Sequence, residues 1–254
     1  MGPRPFRRRA VERALPPACG TPHIPPMLKL TPLLLAIAYG FLMYQFSAWR
    51  TKRMLDAQSR PLDEPEILEL ARRMAVALDL PTVKVSVFEV DPVNGLAAPD
   101  GRIFLTRGFL RKYRSGEVTA AELASVIAHE LGHVALGHSR RRMIDFTGQN
   151  AVMMMLGAVL NRFLPFVGIW LANMLASALA ARLSRRDEHE ADAYASALLV
   201  KAGIGTEPQK SLFRKLHRWS GMNGAAVPAW LMSHPALDER IRRIEEREAR
   251  WIEG

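Results

Sequence analysis

Cysteine is nearly absent from this sequence of 254 residues, which contains only one, Cys19, near its N-terminus. A single cysteine excludes an internal disulfide framework and a metal site built from thiolates. It does not distinguish the cytoplasm from the periplasm. No internal repeat is evident, so the chain is not a repeat array. Its length is sufficient for one domain of about 150 to 200 residues with additional segments.

Acidic side chains are also in deficit, with 25 Asp and Glu against 35 Lys and Arg and a formal net charge of +10. Half of this positive charge lies near the N-terminus, because residues 1–29 hold six basic side chains and one acidic side chain. A basic cluster that precedes an apolar segment reflects membrane topology or attraction to a membrane surface more often than base recognition. We therefore predict no nucleic-acid partner.

The N-terminal part of the chain predicts a tail followed by a membrane anchor. Residues 1–29 are rich in Arg and Pro and are predicted to be disordered, with a second possible start at Met27. Residues 30–49 carry no charge and match a transmembrane helix of about 20 residues. A cleaved signal peptide is the alternative, but the apolar region is long for one. The basic residues directly after position 49 favour a cytoplasmic-facing downstream domain.

A second apolar tract covers residues 151–181, interrupted by Asn161, Arg162 and Pro165. Its first piece is too short to span a bilayer, and its second piece, at about 18 residues, is marginal. Three interpretations compete: a helical hairpin in the bilayer, a helix on the membrane surface, and ordinary core helices. We favour membrane association for this insertion.

Residues 60–254 are predicted to form a mainly helical α+β domain with a small β-sheet. Alternation of apolar and polar residues predicts a strand over Val83–Val90, and Arg102–Thr106 is a second predicted strand. Apolar periodicity predicts helices over Pro61–Leu80, Gly108–Arg114, Thr119–His138, Arg182–Gly205, Lys210–Trp219 and Ala236–Ile252.

The pentad His129-Glu130-Leu131-Gly132-His133 reads HExxH within one of these predicted helices. A helix turns about 100° per residue, so His129 and His133 lie one above the other on a single face. Glu130 lies on the adjoining flank, within reach of a water on the same ion. Two imidazoles and a neighbouring carboxylate suit zinc. A chance match in a His-containing helix is the alternative, since only three positions are specified.

A catalytic zinc site needs a third protein ligand. His138 is the nearest candidate, but it lies one position too early for the pattern HExxHxxGxxH, and we interpret it as a cation at the helix C-terminus. Glu188 is the better candidate. Asp192 follows one turn later on the same face, where it can accept a hydrogen bond from the outer nitrogen of a ligand histidine. A solvated charged turn remains the alternative interpretation of this acidic segment.

Four motifs in order resemble the membrane zinc metallopeptidase family of HtpX and the CAAX prenyl endopeptidases. They are HELGH at 129–133, the ExxAD pattern at 188–192, the segment Asn94–Thr106 and the tripeptide Ser233-His234-Pro235. The resemblance implies a zincin-like, gluzincin-like domain that binds one Zn²⁺ per chain through His129, His133 and Glu188. It also implies that the segment 94–106 supplies an edge strand for the substrate backbone. The chain departs from HtpX-type enzymes in having one predicted span before the metal helix rather than two.

The resemblance implies a membrane-anchored, zinc-dependent endopeptidase that hydrolyses membrane or misfolded proteins in protein quality control. Glu130 would be the general base, His234 a donor to the oxyanion, and Asp192 a support for a ligand histidine. The expected partners are protein or peptide substrates and the lipid bilayer of a bacterial-type inner membrane. A non-proteolytic membrane scaffold that keeps zinc structurally, and a prenyl-peptide processing protease, remain the alternatives. The sequence predicts no oligomeric state.

Overall fold

The computed structural model describes residues 26–98, 100–138, 141, 162, 167–221, 228–234 and 237–253. Most of the predicted tail 1–29, and residues 151–161 of the predicted insertion, lie outside these residues. The chain divides into two units, residues 1–39 and 40–254. The described residues of the first unit, 26–39, are helical.

The described residues form eight helices and four strands. The helices are α1 (Pro26–Ala57), α2 (Pro65–Ala77), α3 (Arg107–Arg114), α4 (Ala120–Ala135), α5 (Val167–Lys201), α6 (Glu207–Gly221), α7 (Ala229–Ser233) and α8 (Leu237–Glu253). The strands are β1 (Ser59–Pro61), β2 (Val85–Phe88), β3 (Gly95–Ala97) and β4 (Ile103–Thr106).

The prediction of a mainly helical domain with a small sheet is confirmed. The strands lie in the order β1-β2-β4-β3. The central pair, β2 and β4, is parallel, with Val85 opposite Ile103, and the two outer strands are antiparallel to their neighbours. Strands β2 and β4 lie within the two predicted strands. Strand β1 was not predicted from the residues and displaces the start of the next helix to Pro65, because residues 59–61 pair with β2.

Helix α1 contains the predicted transmembrane segment 30–49, although the side chains of residues 30–33 and 36 lie outside the described part. Among the helical residues that can be described, no helix combines the length and the apolar character needed to cross a membrane. The predicted span is therefore not confirmed. Helix α1 continues beyond the uncharged stretch into charged residues from Arg50 to Asp56.

Helix α5 joins two segments that the sequence assigned to different elements. Its first part, residues 167–181, belongs to the predicted apolar insertion, and its second part carries Glu188 and Asp192. The 35 residues of α5 form one helix without a break at the change in composition. The described part of the apolar tract, residues 167–181, is therefore continuous with the helix that supplies the acidic residues of the site.

Helix α4 carries the HExxH motif and is held at its N-terminus by a reciprocal cap. The Thr119 hydroxyl accepts a hydrogen bond from the Glu122 N–H (3.2 Å), and the Glu122 carboxylate accepts one from the Thr119 N–H (2.8 Å). Apolar side chains of α4 fill the core between α2, the sheet and α6: Leu123, Val126, Ile127 and Leu131. Each fully buried side chain of this kind contributes about 1.5–3 kcal/mol through the hydrophobic effect.

Two glycines allow neighbouring backbone to approach α4 closely. A Cβ atom on Gly132 would lie 3.0 Å from the carbonyl oxygen of Ala191, so the absence of a side chain lets α5 lie directly against α4. A Cβ atom on Gly95 would overlap the Val126 side chain, so β3 also lies directly on α4. These two contacts place the acidic segment of α5 and an edge strand on either side of the HExxH motif.

Candidate active site

His129 and His133 lie one helical turn apart on α4 with their rings directed to the same point. Both are buried, with 1% and 8% of their surface exposed. Their Nε2 atoms are 3.1 Å apart, and the rings meet edge to face with centroids 4.7 Å apart. Two ring nitrogens at this separation lie ready to coordinate one ion through Nε2.

Glu188 reaches the same point from α5. Its Oε2 atom lies 3.4 Å from His129 Nε2, and its Oε1 atom lies 3.5 Å from His133 Nε2. The carboxylate is 2% exposed, and the close contact between Gly132 and Ala191 holds its helix in place. The structure thus brings together the three residues that the sequence proposes as metal ligands, from two helices.

The spacing of these three groups fits zinc. Tetrahedral zinc with bonds of about 2.0–2.1 Å to nitrogen and oxygen holds its ligand atoms about 3.3 Å apart. The three separations, 3.1, 3.4 and 3.5 Å, lie close to that value. Two neutral imidazoles and one carboxylate are also the donor set of catalytic zinc sites in zinc peptidases. The residues present therefore fit a single zinc ion.

Glu130 lies next to the three ligand candidates and is 4% exposed. Among the described residues, no hydrogen-bond donor satisfies its buried Oε1 atom. The nearest charged or titratable partner is His234, whose Nε2 lies 3.6 Å from that oxygen. A buried carboxylate oxygen without a donor is costly unless something is bound there. Its position suits a base that accepts a proton from a water in the site.

His234 lies directly after the short helix α7 and contacts Glu188 of α5. Its Nδ1 atom is 2.5 Å from Glu188 Oε2 and 3.3 Å from His129 Nε2. One ligand atom from each of His129, His133, Glu188 and His234 lies within 4.8 Å of the others. The structure therefore brings His234 close enough either to contact a substrate oxygen or to coordinate the ion itself.

Asp192 lies one turn beyond Glu188 and is fully buried. The Nδ1 atom of His129 lies 3.0 Å from Asp192 Oδ1, the geometry of a hydrogen bond that leaves Nε2 free for a metal. Arg240 of α8 donates to both oxygens of the same carboxylate, at 2.6 and 2.7 Å. Arg240 is itself 0% exposed. The buried ion pair between Asp192 and Arg240 therefore connects α8 to α4 through His129.

The structure gives His138 contacts that were not expected from the sequence. Gly137 adopts a left-handed conformation (φ +65°) at the end of α4, which redirects the chain and buries His138. Its Nδ1 atom lies 2.8 Å from Nδ1 of His133, and its Nε2 lies 3.4 Å from a carboxylate oxygen of Glu190. His138 thus supports His133 as Asp192 supports His129. Glu190, to which the sequence assigned no role, completes this second chain of contacts.

Trp230 of α7 is another site residue that the sequence did not indicate. It is 0% exposed and packs on His129 and His234, with ring centroids 5.6 and 4.8 Å apart. The guanidinium of Arg240 lies over its ring at 4.8 Å. The sequence around Trp230 gives no signal for this role, because its partners come from distant parts of the chain.

Burial and charge set opposite protonation states for the two motif histidines. Burial lowers the pKa of His129, but hydrogen bonds to Asp192 and Glu188 outweigh it and raise that pKa to about 9. Burial, with repulsion from His129, lowers the pKa of His133 to about 2. Burial alone would raise the pKa of Glu188, but hydrogen bonds from His129 and His234 hold it well below its usual range. A metal ion that binds His129 at neutral pH would therefore displace a proton from it.

Comparison with known proteins places the chain among metallopeptidases. It is 28% identical to Metalloprotease LoiP of Escherichia coli (strain K12) over 227 residues, which cover 85% of this chain and 87% of that protein. It is also 28% identical over 252 residues to a Protease HtpX homolog of Salinibacter ruber, with the same coverage of 85% and 87%. Mitochondrial metalloendopeptidase OMA1 of Schizosaccharomyces pombe is 31% identical over 157 residues, 61% of this chain and 44% of the relative.

The model of Peptidase family M48 matches residues 61–248, which contain all the candidate site residues and make up well over half of the chain. The resemblance inferred from the HELGH and ExxAD motifs is confirmed. The chain therefore belongs to peptidase family M48 and is a metalloendopeptidase.

Proposed function

We propose that the chain is a zinc-dependent endopeptidase that hydrolyses membrane or misfolded proteins. One observation carries the proposal. Three buried ligand atoms with the spacing of tetrahedral zinc lie beside Glu130, whose buried oxygen has no donor among the described residues. A structural metal site has no need of such a carboxylate, whereas a hydrolytic site needs a base at this position.

His129, His133 and Glu188 would hold the zinc, which in such a site activates a water molecule and polarises the scissile carbonyl. Glu130 accepts the proton of the attacking water at Oε1 and delivers it to the nitrogen of the leaving amine. His234 faces Glu188 through Nδ1 and Glu130 through Nε2. A proton on Nε2 lets His234 donate to the oxygen that becomes negatively charged in the transition state.

The sheet supports a binding mode for an extended substrate. Strand β3 lies at the end of the strand order and pairs on one side with β4. Its Gly95 lies against α4, so that a Cβ atom there would be 3.9 Å from Glu130 Oε1. A peptide that pairs with the outer edge of β3 by β-augmentation would run past the metal helix next to the base.

The position of His234 favours a second candidate function. If all four clustered residues coordinate the ion, no position remains for water, as in a structural zinc site. The chain would then be a membrane scaffold that binds zinc and does not hydrolyse peptides. The two functions differ in the role of His234 and in the need for Glu130.

Glu130→Gln tests the proposed base directly. We expect the variant to keep one zinc per chain and to lose hydrolysis of an unfolded protein such as casein by at least about 10²-fold, because Gln cannot accept the proton. Glu245→Gln changes an exposed carboxylate of α8 and is the matched control. Unchanged hydrolysis in Glu130→Gln would refute the assignment.

His234→Ala separates the two candidate functions. As an oxyanion donor, its loss lowers kcat by about 10²–10³-fold and leaves the zinc content at one per chain. As a fourth ligand, its loss lowers the zinc content itself, as Glu188→Ala is expected to do. Zinc content after dialysis, measured for both variants, gives the answer.

We also propose that the protein is attached to a bacterial-type inner membrane with the catalytic domain facing the cytoplasm. Support comes from the exposed apolar side chains of α1, among them Leu34, Leu35 and Leu42 at 62%, 64% and 65%. The basic residues that follow them favour the cytoplasmic side. A C-terminal tag should therefore resist protease added to spheroplasts. Digestion of the tag from outside would overturn the orientation.

A further inference from the structure

A pocket of about 660 Å³ lies between α5 and α8, outside the metal site. Basic side chains dominate its lining, which includes Arg182, Arg185, Arg186, His189, Glu239 and Arg243. The α5 members recur every three or four residues, so they form one face of the helix. Glu190, which contacts His138, and Ala193 complete the lining. None of the lining side chains contacts the substrate in the proposed hydrolysis.

The charges of this pocket are only partly balanced. Arg186 donates to Glu190 at 2.8 Å, and Arg243 donates to Glu239 at 2.7 Å. Within the described ranges, neither Arg182 nor Arg185 pairs with a carboxylate, so about two positive charges are left over.

The lining also contains an unpartnered polar atom. The Nδ1 atom of His189 is buried and has no hydrogen-bond partner in the described part of the chain. Guanidinium groups match the oxygens of a phosphate in geometry as well as in charge. The pocket therefore suits an anion of charge −1 or −2 with several acceptor oxygens.

The helix that carries these arginines is apolar just before them. Trp170, Met174 and Leu179 of α5 are 64%, 47% and 48% exposed. At about 100° per residue, Met174 and Arg185 lie about 20° apart around the helix axis, and Leu179 and Arg182 lie about 60° apart. Tryptophan and arginine are the residues that helices place at the level of lipid headgroups. An apolar surface that leads into an anion-binding pocket on the same helix fits a phospholipid better than a free phosphate ion.

We propose that this pocket binds the phosphoester headgroup of an anionic phospholipid, with the exposed apolar part of α5 against the acyl chains. Arg182 and Arg185 bind the phosphate oxygens, and the imidazole of His189 provides a further hydrogen bond. The proposal rests on the membrane attachment proposed above and not on the proposed hydrolysis. It assigns a lipid site to the helix that also carries Glu188.

The test uses the detergent-solubilised full chain, with Glu130→Gln as the parent so that self-digestion cannot interfere. Phosphatidylglycerol, phosphatidylcholine and inorganic phosphate are titrated separately, and binding is measured from the unfolding temperature. We expect phosphatidylglycerol to bind most tightly. The double variant Arg182→Gln with Arg185→Gln should weaken that binding about 25-fold, about five-fold for each arginine. The double variant Arg182→Lys with Arg185→Lys should lose less affinity for phosphatidylglycerol, because lysine keeps the charge but not the fork of donors.

Lys201→Gln with Arg218→Gln is the matched control, because it removes the same charge from exposed positions outside the pocket. Equal affinity for the two lipids, or an equal loss in the control, would overturn the proposal. Inorganic phosphate binding as tightly as phosphatidylglycerol would also overturn it, since the acyl chains would then contribute nothing. A failure of the peptidase function would instead appear in the casein assay, and a failure of membrane attachment in cell fractionation, neither of which depends on this titration.

Discussion

Replacing Asp192 by Asn removes one negative charge from the interior and leaves the size of the side chain almost unchanged. Asp192 accepts hydrogen bonds from Arg240 at 2.6 and 2.7 Å and from Gln209 at 3.3 Å, and it lies 3.0 Å from His129 Nδ1. Asparagine keeps one acceptor oxygen and turns the other into a donor, which would face the guanidinium. Arg240 has no exposed surface, so its charge would remain buried with Glu188, whose Oε2 lies 3.7 Å from Nη1, as the remaining counter-ion among the described residues.

The size of the effect follows from these contacts. The substitution weakens or removes at least two charge-assisted hydrogen bonds, each of about 1.5–3 kcal/mol. Breaking a buried ion pair by removal of one partner costs about 3–5 kcal/mol. We therefore expect the free energy of unfolding of the metal-free protein to fall by about 3–5 kcal/mol, a large part of the total stability of a typical domain of about 5–15 kcal/mol. Zinc affinity should fall by about 10–100-fold, because the orientation of the His129 ring is less restricted.

Urea unfolding with a chelator measures the stability, and competition with a chromogenic zinc chelator measures the affinity of the folded protein. Glu239→Gln is the control, because it breaks ion pairs on the exposed face of α8 and should change neither quantity appreciably. If Asp192→Asn were to bind zinc as tightly as the parent protein, Asp192 would not orient a ligand histidine. A stability change no larger than that of the control would refute the energetic argument.

Three further predictions concern the surroundings of the site. His138→Phe should lower zinc affinity by about ten-fold while circular dichroism shows an unchanged helix content, because the ring nitrogen that contacts Nδ1 of His133 is lost. Gly132→Val should unfold at clearly lower urea concentration than Gly132→Ala. The backbone of α5 lies 3.0 Å from the added Cβ, and valine adds two further methyl groups at this contact. Lys215→Met should cost about 1–3 kcal/mol at neutral pH in urea unfolding, because it removes the cation 2.7 Å from the buried Glu122 carboxylate. Burial would raise the pKa of Glu122, but hydrogen bonds, foremost from Lys215, lower it. The stabilisation by this ion pair is therefore fully present above the unfolded pKa of about 4.3. It is lost as the pH falls through the lower pKa of the folded state.

Local patterns predicted the elements that are long enough to show a period. The longer helices of the domain and the central strands β2 and β4 follow from apolar periodicity, because burial on one side imposes it. Helix α7, with five residues, was not predicted. Strands β1 and β3 have three residues each, too few for an alternation to be recognised in the residues. The family resemblance pointed to an edge strand near residue 94, and β3 lies there.

The sequence by itself determined the part of the site that depends on one helix. His129, Glu130 and His133 are four residues apart at most, so helical geometry alone sets their directions. It also indicated zinc, because the two imidazoles and the carboxylate are chemically suited to that ion.

Only the tertiary structure decided which distant residues meet this motif. Glu188 reaches the two histidines because α5 packs directly on α4 at Gly132, a contact between segments more than 50 residues apart in the sequence. His138 turns back beneath His133 because Gly137 adopts a left-handed conformation. Trp230 and Arg240 become part of the site through the packing of α7 and α8. Such contacts depend on which helices pack together, and the apolar periodicity of a helix does not identify its partner.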